Sequence, residues 1–296
     1  MKKDLLAIKD LTRAEIEDIF SLASQLKVNR KTHATPLRNK TVGLIFEKPS
    51  TRTRVSFEVG VHELGGNTIY LSSDEVKLGK REAIKDAAKV LSRYLDAMVI
   101  RTFSHDRLLE MAGFSSIPVI NGLTDLLHPC QALSDLFTIK EKKGLDNVTL
   151  AFVGDGNNVL NSLLYGCGKM GVKIKLACPK GYEPDKKILK EVGSSAELYN
   201  KPEDAVKDAD IIYTDVWTSM GQEKEYQKRL KAFRNFQVNS KLLGAAKKNV
   251  MVMHCLPAHR GKEITDEVLD GKYSIVVDQA ENRLHVQKAI LVKLLK

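Results

Sequence analysis

Short apolar runs alternate with longer amphipathic segments along nearly the whole chain, and this pattern restricts the fold more than any other feature. A run with no polar alternation belongs to a strand buried on both faces, the habit of parallel sheets. Parallel strands need a crossover between them, which an amphipathic helix supplies. Thr41 to Phe46 reads as the first such strand, and the stretch from Pro49 to Glu58 opens a helix that runs to about Leu64 and is closed by Gly65-Gly66. Asn67 to Leu71, Ala97 to Ile100 and Ile117 to Ile120 read as further strands. Between them lie a helix with Ile84, Ala88, Leu91 and Leu95 on one face and a short helix from Asp106 to Ala112. Ahead of the set, Thr12-Arg13-Ala14-Glu15 is a capping box that starts a helix carrying Ile16, Ile19, Phe20, Ala23 and Leu26.

His128-Pro129-Cys130-Gln131 starts a long helix ending near Lys143-Gly144, after which the alternation begins again. Val148 to Val153, Val172 to Ala177, Ala196 to Tyr199, Asp210 to Thr214, Val250 to His254 and Ile275 to Val277 read as strands, and Asn157 to Met170 and Asp185 to Val192 as helices. The expected fold is α/β with two domains, each a parallel β-sheet flanked by helices, and an active site in the interdomain cleft. Residues 1–142 form the first domain and 143–281 the second, with a terminal helix over 282–296 packing back on the first.

The chain's 43% hydrophobic and 28% charged residues are those of a soluble globular protein. No apolar run approaches the length of a membrane span, so no membrane partner is expected. Four cysteines without CxxC spacing suit reduced thiols in a cytoplasm. The net charge of +10 raises a basic nucleic-acid-binding protein as a reading from another class. The lysines are scattered along amphipathic segments and do not cluster with aromatics, which favours an anionic small substrate over nucleic acid.

Polar residues gather just after the predicted strands, where ligands of parallel sheets bind. Ser50 is a natural N-cap, and Arg52 and Arg54 bring cations to a helix N-terminus whose dipole opposes them, so an anion is expected there. Arg101 ends a strand, and His128 and Gln131 share one face of a helix's first turn. Gly154-Asp155-Gly156-Asn157-Asn158 has the place of a dinucleotide turn but has Val159 at the third glycine position, which argues against a nicotinamide enzyme. Asp215 opens a loop through Trp217 and Ser219-Met220-Gly221. His254-Cys255-Leu256-Pro257 ends a strand; neighbours there point opposite ways and no second ligand pair is in sight, so no metal site is expected. Glu281-Asn282-Arg283 is expected to open the last helix, again with a guanidinium in a first turn.

Ser50-Thr51-Arg52-Thr53-Arg54, Arg101, His128-Pro129-Cys130-Gln131, His254-Cys255-Leu256-Pro257 and Ala280-Glu281-Asn282-Arg283 occur together and in the order found in carbamoyltransferases, which this chain resembles over nearly its whole length. Asp215, Ser219-Met220-Gly221 and the Gly154–Asn158 turn look like the ornithine branch; an enzyme for another amine, such as putrescine, is the nearest alternative. The resemblance implies attack of ornithine's δ-amine on carbamoyl phosphate, giving citrulline and phosphate for arginine biosynthesis, with no cofactor and no metal. It implies that Ser50, Thr51, Arg52 and Thr53 hold the phosphate and that Arg101 and His128 polarise the carbonyl. Gln131 and the Leu256 carbonyl would fix the carbamoyl amino group, and Arg283 would reach it. Asn158, Asp215, Ser219 and Met220 would bind ornithine's α-groups, while Cys255 and Asp215 position the δ-amine. The family's trans-acting phosphate ligand aligns with Lys77, with Lys80 nearby, and a homotrimer or a multiple of trimers is implied.

Overall fold

The computed structural model describes residues 1–30, 35–76 and 82–295, so Lys77 and Lys80 lie outside the described residues. The chain divides into two compact units, one comprising Met1–Phe137 with Asn282–Lys296 and the other Thr138–Glu281. Both passages of the chain between the units run inside helices, Pro129–Lys143 and Val276–Leu295.

The first unit is built on four parallel strands: β1 (Thr41–Phe46), β2 (Asn67–Ser72), β3 (Ala97–Arg101) and β4 (Val119–Leu123). Their order is β2-β1-β3-β4, so the chain steps one way from β1 to β2, crosses back past β1 to β3 and continues to β4, and the winding reverses between β1 and β3. β3 and β4 are buried along their whole length, including Arg101 and Asn121, while edge strand β2 is half-buried. The Thr12–Glu15 capping box forms with both reciprocal hydrogen bonds. The helix Thr51–Glu63 begins at Ser50, whose extended backbone and side-chain acceptor end the preceding loop.

The second unit contains β5 (Thr149–Val153), β6 (Lys173–Ala177), β7 (Ala196–Tyr199), β8 (Ile211–Thr214) and β9 (Met251–His254), all parallel, in the order β7-β6-β5-β8-β9. Here the reversal falls between β5 and β8. Ala196–Tyr199 lies at one edge of this sheet. A core of Val153, Ile212, Phe233, Val238, Val252 and Ile264 fills one side of this sheet.

The expected strand over Ile275–Val277 does not form. Ser274 makes one isolated bridge to Val252, and the chain then turns helical, with the Gln279 N–H on the Ile275 carbonyl at 2.9 Å. A three-residue apolar run fits either period, and here the helical one wins. The last helix therefore starts at Val276, not Glu281, which places Arg283 well inside it instead of in its first turn.

Candidate active site

In the first unit the expected residues collect beyond the carboxyl ends of β1, β3 and β4. The Ser50 hydroxyl accepts the Thr53 N–H at 3.3 Å, and no acidic residue occupies the first turn that follows. Thr53 is buried, and its hydroxyl accepts from Arg283 Nη2 at 2.7 Å. Arg101 and Arg283 are both about 5% exposed, a severe desolvation for two guanidinium groups. His128 precedes the helix Pro129–Lys143, whose first turn it anchors by accepting the Ala132 N–H at 3.2 Å. Burial first, and the nearby charges of Arg283 and Arg101 next, hold its imidazole well below the ordinary histidine range. His128 is therefore neutral near neutral pH and able to donate one hydrogen bond without adding a third charge. Gln131 is buried and donates from Nε2 to Asp135 Oδ1 at 2.9 Å, which fixes which end of the amide is nitrogen. Thr51 is exposed and Arg52 half-buried.

Arg54, the second cation of the opening helix, has a structural role. Its guanidinium bonds Glu58 one turn on at 2.9 Å and lies 3.8 Å from the centre of the Tyr70 ring.

In the second unit Asp215 is the focus. It is 6% exposed and follows β8. Its Oδ1 accepts from its neighbour Val216 N at 2.8 Å and from Cys255 Sγ at 2.9 Å, and its Oδ2 accepts from Asn157 Nδ2 at 2.6 Å. Asn157, part of the Gly154–Asn158 turn but given no substrate role from the sequence, also caps the helix Asn158–Met170, accepting the N–H groups of Val159 and Leu160. Its signal was present in the sequence as an Asn between a strand and a helical run. Asn158 is the first residue of that helix. Ser219 and Met220 lie on a turn closed by Ser219 N–H on Gln222 Oε1 and Gln222 N–H on the Ser219 carbonyl, with the Met220 side chain 48% exposed.

His254 and Cys255 do not diverge as strand neighbours would. β9 ends at His254, so Cys255 already lies in the following turn, and donor atoms of Asp215, His254 and Cys255 come within 4.8 Å of one another. His254 is already committed at both ring nitrogens: Nδ1 accepts the Leu256 N–H at 2.8 Å and Nε2 meets Glu263 Oε1 at 3.2 Å.

Residues 3–141 match the carbamoyl-P binding domain of the aspartate/ornithine carbamoyltransferase family, and residues 146–294 match its Asp/Orn binding domain. The chain belongs to the aspartate/ornithine carbamoyltransferase family. It is 54% identical to an ornithine carbamoyltransferase of Syntrophus aciditrophicus, over 98% of this chain and 99% of that protein. Identity is also 54% to an ornithine carbamoyltransferase of Archaeoglobus fulgidus, over 99% of this chain and 97% of the relative. The solved ornithine carbamoyltransferase of Pyrococcus furiosus superposes with a TM-score of 0.94 at 51% identity, covering 97% of this chain and 95% of that one.

Within this carbamoyltransferase fold, a buried ion pair supports the loop after Asp215. Arg229 and Asp155 meet at 3.0 Å with both side chains 7% exposed, and Arg229 Nη1 also donates to the Trp217 carbonyl at 2.8 Å. The guanidinium packs 4.8 Å from the Tyr182 ring, and Trp217 stacks on Phe233 at 5.8 Å. Sequence reasoning missed this clamp because its members are far apart in the chain. Burial raises the Asp155 carboxyl to about 6; Arg229 opposes the rise, while Asp215 and Glu225 add to it.

Arg229→Met would leave Asp155 buried without its cation, and loss of about 3–5 kcal/mol is expected in denaturant unfolding. Trp217 is the sole tryptophan, so its emission should shift to the red as the indole loses its packing. Unchanged emission and stability would show that the pair does not hold the loop. A pH experiment tests the same site. The folded Asp155 pKa lies above its unfolded value near 3.8, so its stabilising contribution is full below that value and is lost as pH rises through about 6. Between pH 4 and pH 7 the wild type should therefore lose about 2–3 kcal/mol relative to Asp155→Asn. A constant difference across that window would contradict the assignment.

Proposed function

We propose that this chain transfers the carbamoyl group of carbamoyl phosphate to the δ-amine of L-ornithine, giving L-citrulline and phosphate. The observation that carries the reading is its likeness, over essentially full length and at 54% identity, to proteins named ornithine carbamoyltransferase. Carbamoyl phosphate belongs to residues 1–142 and ornithine to residues 143–281.

The residue roles are those the family resemblance implies, and the chemistry of the reaction agrees with them. Phosphate is a competent leaving group, so the protein has mainly to juxtapose the reactants and stabilise the oxyanion that forms at the carbamoyl carbon. Ser50, Thr51, Arg52 and Thr53 offer hydroxyls, helix N–H groups and a guanidinium to the phosphate. Arg101 and neutral His128 donate to the carbonyl oxygen, and Arg283 adds charge to the same group. Gln131 and the Leu256 carbonyl accept from the carbamoyl amino group. Asp215, Asn158, Ser219 and Met220 hold ornithine's α-amino and carboxylate groups, and Cys255 with Asp215 aligns the δ-amine, which must be neutral to attack. Lys77 or Lys80 completes the phosphate site from a neighbouring subunit in a trimer or a multiple of trimers. Exposed Ile69 on edge strand β2 and exposed Val55 on the helix packed beside it suit such an assembly. The reaction serves arginine biosynthesis in the cytoplasm, where Cys255 stays reduced; among the described residues no helix is long and apolar enough to cross a membrane.

The deciding assay supplies carbamoyl phosphate with ornithine, putrescine or aspartate and measures the ureido product. Ornithine should be strongly preferred; equal turnover of putrescine would remove the roles given to Ser219 and Met220. Arg52→Ala should raise the KM for carbamoyl phosphate about tenfold to a hundredfold, the worth of one charge-assisted phosphate contact. An unchanged KM would overturn the phosphate assignment.

A further inference from the structure

His254 is given no contact with substrate, yet it is 1% exposed and bonded through three of its polar atoms. Its backbone N–H is held by Gln279 Oε1 at 2.9 Å, and Gln279 in turn donates to the Tyr213 hydroxyl at 3.1 Å. The ring's state is decided by its partners. A backbone N–H can only donate, so Nδ1, which receives the Leu256 N–H, carries no proton. A carboxylate can only accept, so the proton sits on Nε2, facing Glu263. Glu263 is fully buried and is itself fixed by the N–H of His259. Leu256 has φ +56, a left-handed conformation that a leucine rarely adopts unless something holds it. The captured N–H is what holds it. One residue earlier, the same turn delivers the Cys255 thiol to Asp215.

We propose that His254 is a positioning residue for catalysis: Glu263 fixes its Nε2–H tautomer, and the bare Nδ1 locks the Leu256 N–H, so that the Cys255 thiol and the Leu256 carbonyl stand at fixed places. The proposal rests on the roles given above to Cys255 and Leu256. It makes the buried imidazole a template for the backbone, with no part in proton transfer.

Three substitutions separate template from filler. His254→Asn keeps an acceptor where Nδ1 stood but cannot reach Glu263. His254→Gln reaches towards Glu263 but loses the acceptor for Leu256. His254→Ala loses both. All three lose ring volume, so thermal stability should fall in each and does not discriminate the amide pair. On the full-length enzyme, kcat/KM for ornithine should fall about tenfold to a hundredfold in the Gln and Ala variants, the worth of one buried hydrogen bond left unmade, and be largely restored in Asn. Alkylation of Cys255 by iodoacetamide, followed by mass spectrometry on the folded protein, gives a second readout, because Cys130, Cys167 and Cys178 are buried. Labelling should be several-fold faster in Gln and Ala, where the thiol leaves Asp215, and near the wild-type rate in Asn. If Asn is no better than Gln in both readouts while the wild type makes citrulline, His254 merely fills space and the proposal fails. A wild type that makes no citrulline would instead overturn the function on which it rests.

Discussion

A parallel strand cannot return to its neighbour by a tight turn, and this constraint decides where chemistry can sit in each unit. Every crossover leaves from a strand's carboxyl end, so the residues that begin crossovers share one edge of their sheet. Ser50 follows β1, Arg101 ends β3, His128 follows β4, Asn157 follows β5, Asp215 follows β8 and Cys255 follows β9. The strand orders add a second restriction. Each sheet reverses direction once, between β1 and β3 and between β5 and β8, and the gap left by diverging crossovers is where a ligand has room. Ser50 and Arg101 flank the first reversal, Asn157 and Asp215 the second.

Each unit buries charges of both signs, Asp135 in the first and Arg229 in the second among them, but the buried charges expected to meet substrate are cationic in the first unit and anionic in the second. The first holds Arg101 and Arg283 beside an imidazole kept neutral, a surrounding suited to an anion. The second buries Asp155 and Asp215, each supplied with donors from other segments. Buried carboxylates without such donors would take up protons, and Asp155 goes part of the way even with Arg229 against it. A cationic amine and an anionic acyl phosphate thus call for different units, which matches the separate carbamoyl-P and Asp/Orn domains of the family.

Local signals in the sequence carried much of this. Caps at Thr12 and Ser50, the apolar strands and the clustering of polar residues after them are all properties of a few adjacent residues. What could not be read was of two kinds. Ile275–Val277 is too short for its period to separate strand from helix, and the error carried Arg283 to the wrong place on its helix. The partnerships of Asp155 with Arg229, of His254 with Glu263 and of Arg54 with Tyr70 depend on which segments the fold brings together. Spacing along the chain holds no trace of them. The turn after β9 is a case in between: a strand's alternation was assumed one residue too far, and Cys255 consequently reaches Asp215 instead of facing away.

The glycines after β5 explain why a nucleotide-like pattern can arise with no nucleotide behind it. Gly154 sits at φ +144, where a side chain is strained, and a Cβ on Gly156 would stand 2.2 Å from the Glu183 carbonyl carbon. The Gly156 N–H is taken by the Tyr182 carbonyl at 2.8 Å, so what crowds this turn is the protein's own 182–184 segment. Selection for a tight passage of two backbone segments leaves the same spelling as selection for a pyrophosphate. A glycine pair after a strand is therefore a mark of crowding, and the crowding partner has to be established separately before any ligand is inferred.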